Sequence, residues 1–174
     1  GITSTFFKRN DQFIVQTEGP DGILQDYPVV YTFGVDPLQQ YLVEFPGGRL
    51  QALSLAWDSR PTDAGGQRWF HLYPDERITS DDPLHWTSPN QNWNYMCAEC
   101  HSTSVDKNFH LAENRYETTW AEIDVSCESC HGPASTHVSW ARALTDGELR
   151  TDIPSSGLTL SLKDEPPAAW VFDI

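Results

Sequence analysis

The chain is 174 residues long, enough for one domain or one domain with an appendage. Its 25 acidic and 11 basic side chains give a formal charge of -14, which argues against nucleic-acid binding and against attraction to anionic lipid. With 39% hydrophobic residues and no apolar run near the length of a membrane span, it reads as a soluble, globular chain. It begins at Gly1 without an initiator Met or a signal-peptide pattern, and is read as a mature or excised segment.

The first part reads as β-structure. A turn at Asn10-Asp11 precedes a strand over Phe13–Thr17, and Pro28–Phe33 is β-branched and aromatic. Tyr41–Phe45, the turn Pro46-Gly47-Gly48 and Arg49–Trp57 form the clearest hairpin signal, and Gln67–Tyr73 is a further strand. Beyond Pro74 the pattern becomes helical. Ser88-Pro89 predicts a helix start that runs through Trp93 and Met96. Thr119-x-x-Glu122 predicts a capping box and a short helix towards Cys127. A helix is expected from about Pro133 to Leu144, stopped at Asp146-Gly147, and Leu158–Leu162 is strand-like. The expected class is α+β, an N-terminal antiparallel β-meander followed by short helices and long loops. The expected divisions are 1–84, 85–147 and a Pro-containing tail over 148–174, or one domain throughout.

All four cysteines fall in a pentapeptide that occurs twice, Cys97-Ala-Glu-Cys100-His101 and Cys127-Glu-Ser-Cys130-His131. This is the spacing of covalent haem attachment, in which two thiols add to the vinyl groups of one porphyrin and the following histidine meets the iron. Zinc is the nearest rival, but the 26 residues between Cys100 and Cys127 exceed the roughly 15–20 of a zinc ribbon. Zinc also gives no reason for a histidine after both pairs. A thioredoxin-like pair needs only one CxxC, and disulfides need no histidine. The reading is two haem c groups, with the short helices and loops of 85–147 wrapped around them. Haem attachment to this motif takes place on the exported side of a membrane, so a periplasmic or extracellular location is expected.

His101 and His131 are the proximal iron ligands on this reading. Met96 is too close to its own attachment site to reach the opposite haem face. The other histidines, His71, His85, His110 and His137, are candidates for the sixth positions. His71 sits between Phe70 and Leu72, His85 lies in a turn-rich loop, and His137 shares a helix face with Trp140 and Ala141. His110 lies in a polar stretch. Four candidates for two irons leave a surplus, which packing or a haem of another chain or segment could absorb.

The stretches Gln91–Thr103 and Thr118–Pro133 with His137, together with Tyr31–Tyr41 and Gln67–Pro74, resemble multihaem c-type cytochromes related to the tetrahaem electron carriers of ammonia oxidation. The likeness is nearest to exported members often fused to tetratricopeptide repeats. The resemblance implies periplasmic electron transfer by closely spaced, mostly bis-histidine haems, and points to His71, His85 and His137 as ligands. Members usually carry further CxxCH motifs, whereas this chain has two, so it is either a fragment or a trimmed form whose neighbours supply the rest.

Electron transfer to and from redox partner proteins is the leading function, and the acidic surface suits either a basic partner or solubility alone. An enzyme with one open iron, acting on a small nitrogen compound or peroxide, is the second. Arg68, Tyr73, Asp124 and His137 could serve such a site. The third is a homo-oligomer or filament with haems stacked from chain to chain, or an assembly with neighbouring haem domains.

Overall fold

Asn10 and Asp11 both take positive φ, 47° and 66°, as a two-residue hairpin turn requires. Asn and Asp tolerate that conformation because a short polar side chain can bond locally. The turn joins β1 (Thr5–Arg9) to β2 (Gln12–Glu18), a hairpin that the sequence pattern showed only from its second strand. The chain continues through β3 (Leu24–Phe33), β4 (Leu38–Phe45), β5 (Arg49–Asp58) and β6 (Arg68–His71). Each strand pairs antiparallel with the next, giving one six-stranded sheet in chain order. These are features of a computed structural model that describes residues 2–148 and 151–160. The fold is α+β, with the sheet first and a few short helices and loops after it, as the sequence indicated. The chain forms two compact units, Gly1–Asp124 with the sheet and the first CxxCH motif, and Val125–Ile174 with the second. Among the described residues no helix is long and apolar enough to cross a membrane.

Both faces of the sheet are covered. Side chains alternate along a strand, so Leu42, Leu50 and Ala52 point one way and Val43 and Leu53 the other. The first set packs with Phe33, Trp93 and Ala98. The second packs with Val15 and Trp86. A register shift between Val29 and Tyr31 carries β3 from one face to the other. Tyr27 and Val29 therefore contact the Trp86 cluster, while Phe33 joins the Trp93 cluster. Double coverage also explains why β5 is buried almost continuously from Leu50 to Ser54, without a polar face.

Three expected elements differ. The helix expected from Ser88 is broken into a 3-10 turn (Pro89–Gln91) and α1 (Trp93–Met96), followed by α2 (Ala98–His101). Asn92 stays extended at φ -73° and ψ 111°, and its side chain accepts the Tyr95 amide, so it caps a new helix rather than continuing the old one. The helix expected at Thr119–Glu122 does not form. That stretch is extended and pairs back on the chain, Thr119 with Asp106 and Glu122 with Thr103, so backbone pairing outcompetes the capping box. Leu158–Leu160 is irregular, with a bend, and not a strand, and the remainder of that expected strand lies outside the described residues. A small hairpin, β7 (Phe109–His110) with β8 (Arg115–Tyr116), went unrecognised in the polar stretch around His110. The helix expected after Pro133 is present as α4 (Ser135–Thr145).

Asn94 fastens α1 to the sheet. It is buried, and its Oδ1 accepts the Leu50 amide at 2.7 Å. Its Nδ2 donates to Thr118 Oγ1 at 2.9 Å and to the Gly48 carbonyl at 3.2 Å. Asn94→Leu strands the Leu50 amide in a dry interior, where a lost partner costs about 1–3 kcal/mol per group. Urea unfolding is expected to show a loss of about 2–4 kcal/mol.

Candidate haem-binding sites

In the first motif, α2 is a single turn whose buried residue is Ala98. With that side chain facing the core, Cys100 and His101 are exposed and Cys97 is half-buried. The amides of Cys100 and His101 both donate to the Cys97 carbonyl, at 3.1 and 3.0 Å. The edge of Phe33 meets the His101 ring at a centroid distance of 5.4 Å and limits how that imidazole can turn. Just beyond the motif, Ser102 Oγ donates to the Ile123 carbonyl and Thr103 Oγ1 to the Asp124 carbonyl. These bonds hold the end of the turn in place. Burial pushes the Cys97 thiol up, and neighbouring Cys100 adds to the effect.

In the second motif, α3 (Glu128–His131) is again one turn, with Cys127 and Cys130 exposed. Its stability comes from the segment Pro154–Leu160. The His131 ring Nδ1 lies 2.9 Å from the Leu160 carbonyl, and the Leu160 amide returns a bond to the His131 carbonyl at 3.2 Å. On α4, His137 Nδ1 lies 2.8 Å from the Ser156 carbonyl, and its ring stacks on Trp140. A carbonyl only accepts, so both imidazoles carry their proton on Nδ1 and leave the Nε2 lone pair for a metal. Gly157 makes this docking possible. It sits at φ 77°, and a Cβ there would lie 2.9 Å from the backbone of Thr136 and His137. The sequence reading of this segment, a Pro-containing tail with a strand-like Leu158–Leu162, did not show this docking, because carbonyl acceptors leave no mark in residue identity.

His71 and His85 come together in the first unit. His71 pairs with Leu55 across β5 and β6, which places it on the Leu53 and Leu55 face of the sheet. It shares one cleft with His85, whereas His101 and Phe33 belong with the cluster on the opposite face. His71 Nδ1 accepts the Tyr73 amide at 3.0 Å, so its proton is on Nε2. That amide is the partner its apolar setting demanded. His85 is buried, with Nδ1 2.8 Å from Thr87 Oγ1. Burial lowers its pKa, against the opposing charges of Glu18 and Asp82. His110 Nε2 is engaged by Glu117 at 3.1 Å, and Met96 is exposed.

The donor sets fit covalent haem. In each motif a helical turn presents free thiols beside an imidazole, and at His131 the tautomer is the one a metal needs.

The family model described as cytochrome c554 and c-prime matches residues 74–132. The matched span contains both CxxCH motifs and His85, and leaves out His71 and His137. It supports a c-type cytochrome family, and with it covalently bound haem c and haem-based electron transfer in general. Proteins of that kind are typically periplasmic or extracellular. No curated protein and no solved structure matches the chain.

His85 gives a pH test of its burial. Its folded pKa lies below the ordinary value of about 6.5, so the unfolded chain binds the proton first on acidification. The stability this contributes is present above about pH 6.5 and is lost as pH falls. Between about pH 7 and pH 5 the urea midpoint of His85→Gln is expected to fall less steeply than that of the parent.

Proposed function

We propose that this chain is a dihaem electron-transfer module of an exported multihaem c-type cytochrome, related to the tetrahaem carriers of ammonia oxidation. The observation that carries the reading is the paired CxxCH turn, each with its thiols and imidazole displayed from a fixed backbone. Cys97, Cys100 and His101 hold one haem, and Cys127, Cys130 and His131 hold the other. The bound groups supply one-electron Fe(III)/Fe(II) chemistry, at low potential where imidazole ligation and acidic surroundings favour Fe(III). His137 would supply an imidazole to one of the irons, since its Nε2 lone pair is free and its ring is held by Ser156 and Trp140. The Nδ1–H bonds of His131 and His137 to carbonyls raise the basicity of the metal-facing nitrogen. The -14 charge steers a redox partner with a basic face.

Intact mass and a pyridine haemochrome spectrum test the count. Two thioether-linked haems are expected, and replacing both cysteines of either motif by Ala removes one and leaves the other. Colourless protein, or pigment that leaves with acidified acetone, sinks the reading.

The clamp has its own signature. Gly157→Ala displaces the Ser156 carbonyl from His137, making that imidazole a weaker donor to Fe(III). One of the two reduction potentials is expected to rise while the other stays within error. Voltammetry in which both couples are unchanged rejects the role given to Ser156.

A further inference from the structure

The outermost strands of the sheet, β1 and β6, meet through their aromatic side chains. Phe6 stacks on Trp69 at 3.9 Å, so the sheet curls until its two edges approach. Beside this seam lies a cleft of about 1170 Å³, walled by β1, β2, β5, β6 and the segment after β6. That volume is above the roughly 300–1,000 Å³ of ordinary small-molecule pockets and leaves room for a fused-ring guest. Phe6, Trp69 and Trp86 line it. The Trp86 indole N–H is spent on the Glu18 carbonyl, so its ring offers the cleft an apolar surface. Such rings favour a flat, mostly apolar guest.

Three side chains that line the cleft are donors without an acceptor. His71 Nδ1 accepts the Tyr73 amide at 3.0 Å and His85 Nδ1 accepts the Thr87 amide at 3.4 Å, so both imidazoles carry their proton on Nε2. Among the described residues neither Nε2 has a hydrogen-bond partner. His85 is 5% exposed, and a donor so enclosed calls for an acceptor. The Tyr73 hydroxyl accepts from Gln91 Nε2 and keeps its own proton to give. All three groups present a proton and not a lone pair, so they select carbonyl oxygens over a metal ion. Glu18 and Glu76 against Arg77 leave the lining net negative, which disfavours an anion. A neutral, flat, fused ring that bears carbonyl oxygens meets these conditions together.

We propose that this cleft binds a quinone, with its fused rings on the aromatic wall and its carbonyl oxygens accepting from His71, His85 and Tyr73. Quinones carry electrons in pairs, so the cleft becomes a port for a small diffusible carrier. That consequence rests on the electron-transfer reading above, whereas the binding itself does not.

The test is isothermal titration calorimetry of the purified, pigmented protein, fully oxidised, with menadione. One equivalent is expected to bind saturably. Methylnaphthalene has the same rings without the carbonyls and is expected to bind at least about tenfold more weakly, because it leaves the donors unpaired. This comparison uses the parent protein alone, so misfolding of a variant does not enter it. His71→Phe keeps a ring and removes the N–H, and is expected to weaken menadione binding at least about tenfold. His71→Gln returns an N–H donor and is expected to recover part of the loss. Before menadione is added, both variants are expected to show the haem spectrum of the parent. No saturable binding, equal affinity for the two guests, or binding indifferent to His71→Phe overturns the proposal. So does a haem spectrum altered by His71→Phe, which would place that imidazole on an iron. The haemochrome count is independent of all these outcomes, so failure here leaves the dihaem reading intact.

Discussion

A helix of one turn cannot sustain itself. Nucleation fixes several residues for a single hydrogen bond, and isolated helices this short are unstable in water. Both CxxCH motifs are built on such turns, so each depends on something outside the motif to keep two thiols and an imidazole in register. The two units meet this requirement in different ways. In the first, Ala98 and Trp93 are fully buried beside Leu42, Leu50 and Ala52, and the turn is held from behind by apolar contact. In the second, no residue of α3 or α4 is buried; the turn is held by the bonds of the His131 ring and carbonyl to Leu160, and α4 by the bond of the His137 ring to the Ser156 carbonyl. One attachment site is therefore set on a core and the other on a polar strap.

Much of this was legible in the residues. The hairpin around Pro46-Gly47-Gly48 and the stop at Asp146-Gly147 carry strong local chemistry, and the structure places them as expected. The failures have a common cause. At Thr119–Glu122 a good capping box was overridden by pairing with Thr103 and Asp106, partners that no local window contains. The single helix expected from Ser88 was divided because Asn92 uses its side chain as a cap and bridges to Gln51 on the sheet.

The histidines show the same limit at the level of the site. Residue type and neighbours marked His71, His85 and His137 alike. The hydrogen bonds at Nδ1 distinguish them, since a carbonyl partner at His131 and His137 frees Nε2 while an amide partner at His71 protonates it. Face mattered as well. The shift at Val29/Tyr31 turns Phe33 towards His101, and the register of β6 turns His71 the other way. Neither follows from composition or spacing.

The unequal shelter of the thiols bears on how the protein is made. Cys97 is half-covered and its thiol resists ionisation, whereas Cys127 and Cys130 stand open to solvent on one turn. Thiolates are the species that oxidants capture, and a CxxC pair closes readily into a disulfide. In an oxidising compartment the second pair would be the first lost to such a dead end. Assembly must then keep Cys127 and Cys130 reduced until the porphyrin arrives, while the first pair has some protection from the fold itself.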